Sequence, residues 1–262
     1  MTSPTLENYG DRFSHLAMSR DDDAGVLTIT LHTDGGSLVM DETVHAQLGP
    51  AFRAIDADAN NRIVVVTGAG DAFCAEAAFQ PGSFGTPADV GRFFDEGRLR
   101  DEALYGLSIP VIAAVNGACT VHAENALFAD IVIASEDAVF GDYHWGSGLI
   151  PGGVSAVAWQ EALGGAFANL LLLTGGRMTA QEAKRRGLVA EVVPRHRLLE
   201  RAYEHAYRLA DLPDAALRFT RLSMNRHIAD RVRRDAAMGY VLGGIAALDA
   251  NNWQPNAANL TD

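Results

Sequence analysis

Arg62-Ile63-Val64-Val65-Val66-Thr67-Gly68 is the stretch that decides the fold class. Its centre is β-branched throughout, with no polar residue alternating in, so both faces of this strand must be covered. Strands of that kind belong to parallel sheets flanked by helices. The same character returns in Pro110-Val111-Ile112-Ala113-Ala114-Val115-Asn116-Gly117 and in Asp130-Ile131-Val132-Ile133-Ala134. Helical patterns separate these strands, from Pro87 to Leu107 and from His122 to Ala129. Strand–helix alternation predicts an α/β core.

Upstream, Ser14–Ser19 and Val26–Leu31 flank the turn Arg20-Asp21-Asp22-Asp23-Ala24-Gly25, which reads as a hairpin. Asp41 is placed to cap a helix whose apolar stripe runs Val44, Leu48, Ala51, Phe52 and Ile55. From about Arg195 strand patterns stop, and Leu198–Leu212, Ala215–His227 and Ile228–Leu248 read as three helices. The chain is therefore divided into a core of residues 1–197 and a C-terminal helical region of residues 198–262. The tail from Asn251 onward reads as irregular. Leu217, Leu222, Val232, Val241, Leu242 and Ile245 offer more apolar surface than a thin appendage can bury alone, which predicts self-association.

The 262 residues carry 33 acidic against 21 basic side chains, a net charge of −12. A general nucleic-acid or anionic-membrane binder needs a cationic field, so both partners are excluded as expectations. No stretch reads as a signal peptide or membrane span. Cys74 and Cys119 lack the spacing of a metal knuckle or redox pair and read as free thiols of a cytoplasmic protein. Lys184, the sole lysine, sits in a solvated helical pattern, which leaves Schiff-base chemistry without support. No Gly-rich phosphate loop follows a strand, and no cofactor is expected.

Four segments place unusual polar residues beside apolar or Gly-rich backbone. His45 falls on the buried stripe of its helix, where a lone histidine is ordinarily a core residue. Asp71–Phe79 follows a buried strand and encloses Glu76 among small residues. Val115–Asn125 runs from a strand into a helix, with His122 and Glu124 in the expected first turn, where free N–H groups favour negative charge. Phe140–Gly153 holds His144 between Tyr143 and Trp145, with glycines that let backbone approach a ligand. Three histidines near strand ends form a candidate site. Their spacing does not suit a helical metal motif, so no metal is expected.

Ile109–Gly117, Ala129–Ala134, Phe140-Gly141 and Leu173-Thr174-Gly175-Gly176-Arg177-Met178-Thr179 leading to Gly187-Leu188-Val189 resemble the crotonase superfamily over about residues 14 to 250. The resemblance implies a spiral of ββα units, a C-terminal helical region that drives homo-trimer or hexamer formation, and an oxyanion hole of backbone N–H groups. By position these come from Ala75, Glu76 and Val121. Of the two glutamates usual in the family's hydratases, one aligns with Glu124 and the other falls on His144. Ala75-Glu76-Ala77-Ala78 replaces the turn that helps hold CoA, a departure that counts against CoA binding.

Ser37-Leu38-Val39 with His45, Phe73-Cys74-Ala75-Glu76, His122, His144 and Ser147–Gly152 are most similar to the 6-oxocamphor hydrolase branch, whose members cleave cyclic β-diketones without CoA. That branch uses three histidines, and imidazole chemistry gives His45, His122 and His144 shared acid–base work, with His144, where hydratases place a glutamate, as base and the other two as donors to carbonyl oxygens. Glu124, from the hydratase alignment, is the fourth catalytic candidate. The likeness also implies a small-molecule pocket bordered by Met40, Phe79 and Trp145. Two carboxylates of the branch are missing: Gly153 stands where it has an aspartate and Gly243 where it has a glutamate. The expected activity is C–C hydrolysis of a β-diketone or a related lyase or isomerase reaction through an enolate. An acyl-CoA hydratase or isomerase with rearranged residues, and a catalytically silent assembly subunit, are the alternatives.

Overall fold

The computed structural model describes residues 4–80, 83 and 85–250. A single turn, α1 (Leu6–Tyr9), precedes β1 (Leu16–Asp21) and β2 (Val26–Leu31), which form the antiparallel hairpin with Leu16 opposite Leu31. The short β3 (Val39–Met40) leads to α2 (Glu42–Ala57), where Asp41 accepts the Val44 N–H at 2.8 Å.

Three strand–strand–helix units follow. In the first, β4 (Ile63–Gly68) and β5 (Ala72–Cys74), with the two-residue β6 (Glu76–Ala77), lead into α3 (Pro87–Gly106). In the second, β7 (Val111–Val115) and β8 (Ala118–Cys119) lead into α4 (Glu124–Leu127); in the third, β9 (Ile131–Ser135) and β10 (Val139–Gly141) lead into α5 (Ser155–Leu163). The chain continues through α6 (Gly165–Thr174), β11 (Arg177–Thr179), α7 (Ala180–Arg185), β12 (Glu191–Val193), α8 (Leu198–Ala210) and α9 (Asp214–Ala250).

The first strand of each unit joins a six-stranded sheet of order β1-β2-β4-β7-β9-β12, and the second joins a four-stranded sheet of order β11-β10-β8-β5. Each unit therefore advances both sheets by one strand, which is the ββα spiral of the crotonase fold. Alternate residues of β4 explain its composition. Val64 and Val66 face the main core, while Ile63 and Val65 pack with Leu198, Ala202 and Ala206 of α8.

Two elements differ from the sequence reading. The helices expected at Ala215–His227 and Ile228–Leu248 are one helix, α9, because only polar residues, with neither proline nor glycine, separate the two patterns. The helix expected from His122 to Ala129 shrinks to α4, since His122 adopts a left-handed φ of +46° that no helix can include. The tail from Asn251 lies outside the described residues.

α9 crosses the open end of the core beside α3 and is tied to it by Arg221, whose guanidinium meets Asp130 at 2.8 Å. Leu217 and Val232 are buried within the chain, whereas Leu222, Val241, Leu242 and Ile245 are exposed together with Phe219 and Met238. Among the described residues no helix is long and apolar enough to cross a membrane.

Candidate active site

α2, α3, the β8–α4 link, the loop after β10 and α9 enclose one cavity of about 70 Å³. Its lining includes His45, Phe93, Arg100, His122, Glu124, Tyr143 and His144, with Gly152, Gly153 and Gly243 on the far wall. The three histidines, scattered across 100 residues of sequence, thus share one space. The ring centres of His45 and His122 are 5.8 Å apart, and Tyr143 lies 6.3 Å from His122 and 4.4 Å from His144. A much larger open groove of about 950 Å³ between α2, α3 and α9 contains no histidine, and its Arg221 is committed to Asp130.

Each histidine turns Nδ1 toward a carboxylate. His45 Nδ1 is 3.2 Å from Glu96, His122 Nδ1 is 2.6 Å from Glu124, and His144 Nδ1 is 2.7 Å from Asp142. A neutral imidazole has one N–H, and a carboxylate neighbour assigns it to Nδ1, leaving Nε2 as a bare acceptor. Nε2 of His45 and of His122 is buried and meets no partner among the described residues. Arg100 Nη1 lies 2.8 Å from the same His122 Nδ1. Nδ1 cannot donate to Glu124 and accept from Arg100 at once. The shorter, charge-assisted contact assigns the proton toward Glu124, and Arg100 acts on the ring through its charge.

That charge has consequences. Burial, the Arg100 cation and His122 hold His45 well below the ordinary imidazole value. Burial also depresses His122, with Glu124 opposing and Arg100 reinforcing the shift. Both rings are therefore neutral near pH 7. Burial alone would raise Glu124, but His122 and Arg100 outweigh it and hold the carboxyl well below its usual range. At Asp142 burial is likewise outweighed, by His144 and by the hydroxyl of Ser155, which donates to Oδ2 at 2.8 Å.

Arg100, Asp101, Asp142 and Tyr240 are absent from the sequence reading. Arg100 and Asp101 lie on the buried stripe of α3 with Gly97 and Leu104, and charge on such a stripe was the available signal. Asp101 receives hydrogen bonds from Arg100 and from the hydroxyl of Tyr240 on α9, and burial pushes it up to about 6. Gly97 makes this possible, since a Cβ there would fall 2.4 Å from the Tyr240 hydroxyl.

The other expected site residues are not among those that line the cavity. Met40 is wholly buried in the main core and does not line the cavity. The Trp145 ring packs over Gly175, at the α6–β11 turn, away from it. Phe79 meets His45 and Phe93 edge-on, at 6.5 and 5.7 Å, behind the cavity wall. Ala75, Glu76 and Val121 do not border the cavity either, and the Val121 N–H donates to the Cys74 carbonyl at 3.1 Å. His122 precedes a helix of only four residues, so burial and Arg100, rather than a helix terminus, keep it neutral.

Gly153 and Gly243, the positions without carboxylates, both line the cavity. Gly153 has a φ of +55°, and a Cβ there would strike Tyr240 at 2.6 Å. A side chain at Gly153 would therefore sit in a strained backbone conformation and would have to displace the Tyr240 ring. At Gly243 the nearest atom to an added Cβ is 3.9 Å away.

The model of the enoyl-CoA hydratase/isomerase family matches residues 21–239. The chain belongs to the enoyl-CoA hydratase/isomerase family. Within this crotonase group it is 34% identical over 206 residues to a Rhizobium meliloti protein named "Probable enoyl-CoA hydratase", covering 76% of this chain and 77% of that one. It is 33% identical to a carnitinyl-CoA dehydratase of Salmonella arizonae over 213 residues, 79% of this chain and 81% of the relative. Among solved structures, a β-diketone hydrolase from the cyanobacterium Anabaena, bound to (S)-3-oxocyclohexyl acetic acid, superposes with a TM-score of 0.89. That crotonase relative is 37% identical, with 93% of this chain and 98% of the other covered.

Proposed function

We propose that this crotonase is a CoA-independent hydrolase that cleaves the C–C bond between the carbonyls of a compact β-diketone. The observation that carries the reading is the convergence of three carboxylate-backed histidines on one small cavity. A neutral imidazole nitrogen held by a carboxylate suits general-base work on water. In this reading His144, held by Asp142, takes a proton from water as the oxygen attacks one carbonyl carbon. The tetrahedral adduct then collapses, its C–C bond breaks, and the electron pair leaves as the enolate of the second carbonyl. The proton held on His144 returns to the enolate carbon, giving a keto acid. The adduct carries one hydroxyl, the one that water brings, and a bare Nε2 of His45 or of His122 accepts its hydrogen bond, which revises the donor roles expected from sequence. A cavity of about 70 Å³ favours a compact substrate over one with a nucleotide tail.

The named relatives support a second reading, acyl-CoA hydration or dehydration, and the retained Glu124 fits it. Glu124 is occupied by His122 and Arg100, however, which counts against a free carboxylate acting on a thioester. Two measurements separate the readings. A panel of cyclic β-diketones is expected to yield keto acids without CoA, and calorimetry with crotonyl-CoA is expected to give no tight binding. Tight crotonyl-CoA binding without dione cleavage would sink the proposal.

The exposed apolar face of α9 supports a homo-trimer or a hexamer, in keeping with the oligomeric habit of the fold. Light scattering is expected to give three or six times the protomer mass. A stable monomer at micromolar concentration would contradict this.

A further inference from the structure

We infer that Tyr143 is a catalytic residue: its hydroxyl donates the hydrogen bond that stabilises the oxygen turning negative when water adds to the substrate carbonyl. The inference rests on the β-diketone reading. Such an addition moves the carbonyl π electrons onto oxygen, and a donor already aimed at that oxygen is ordinarily one of the largest contributions to catalysis. Of the fold's expected backbone donors, the Val121 N–H is spent on the Cys74 carbonyl, and Ala75, Glu76 and Val121 are not among the residues that line the cavity.

The side chains lining the cavity narrow the choice. Each histidine directs its ring proton to a carboxylate, so all three present acceptors. Arg100 is committed to Asp101 and Glu124, and the Tyr240 hydroxyl to Asp101. Among the described lining residues Tyr143 is the remaining side-chain donor, and no hydrogen bond ties its hydroxyl to another described residue.

Its position suits the task. The ring lies between His122 and His144, at 6.3 and 4.4 Å, so a carbonyl within reach of the proposed base is also beside the phenol. The flanking backbone is pinned, since Asp142 accepts the His144 N–H at 3.0 Å and the Ser155 hydroxyl at 2.8 Å. Little reorganisation is then needed as charge develops. Burial, with the charges of Asp142 and Glu124, raises the Tyr143 pKa and keeps the phenol protonated as a donor.

Tyr143→Phe keeps the ring and removes the hydroxyl. On a dione that the wild type cleaves, kcat is expected to fall by roughly 10²–10³-fold, with KM little changed. A second readout needs no turnover: the antisymmetric infrared band of the carboxylate in carboxyl-labelled (S)-3-oxocyclohexyl acetic acid bound to the full-length protein, the carboxylate carbon being the carbonyl that water attacks. The band is expected at lower frequency on the wild type than on Tyr143→Phe. An unchanged band overturns the inference, whatever happens to kcat, and so does an unchanged kcat. If the band moves while the wild type cleaves no dione, the β-diketone reading fails and the donor role stands.

Discussion

His144→Ala should lower kcat on a cleaved dione by about 10²–10⁴-fold, the usual cost of losing a general base. The expectation follows from its placement. Nδ1 is anchored 2.7 Å from Asp142, the backbone N–H is anchored on the same carboxylate, and the ring borders the cavity. Asp142→Asn should act through the same ring, because an amide no longer dictates which nitrogen carries the proton. Its loss should appear in kcat rather than in KM. Steady-state kinetics on the two variants, with circular dichroism to verify folding, checks this. Near-normal kcat in His144→Ala would remove His144 from the chemistry.

Arg100→Met should destabilise the fold by about 3–5 kcal/mol, the cost of stripping one partner from a buried ionic cluster. Arg100 is 2% exposed and neutralises Asp101 and Glu124, each within 3.1 Å of its guanidinium. Methionine matches the stem of the side chain and leaves two carboxylates buried against each other. A typical domain is stable by only about 5–15 kcal/mol, so the loss consumes a large part of the margin. Arg100→Lys, which keeps the charge but not the fork, should fall between the two. Denaturant unfolding of all three proteins tests the ordering. An Arg100→Met midpoint equal to wild type would show that the cluster contributes little.

The β-branched centre of β4, its repeats in β7 and β9, and the N-cap of α2 at Asp41 were legible because each is a local pattern. His45 was legible as a buried histidine because its helix is amphipathic over four turns. What made it functional was not legible: Glu96 comes from another helix, and the 3.2 Å contact exists only after α2 and α3 pack. Arg100 and Asp101 were missed for a related reason. A charge on a helix is solvated by default, and their partner Tyr240 lies 139 residues away in sequence. Asp142, two residues before His144, was within reach of the sequence, but loop conformation decides whether such a pair meets. Gly153 stands where the branch has an aspartate, and the carboxylate that reaches His144 comes from Asp142 instead. His122 was misread because its strained φ is imposed by tertiary packing, not by local propensity.

Cleavage of a cyclic β-diketone in ¹⁸O-water, without CoA and followed by mass spectrometry, tests CoA-independent C–C hydrolysis most directly. If a histidine-activated water attacks the carbonyl, the keto acid formed by the wild type carries solvent oxygen in its new carboxylate, and His144→Ala forms almost none. Recovery of intact dione under conditions where the same preparation hydrates crotonyl-CoA would contradict it.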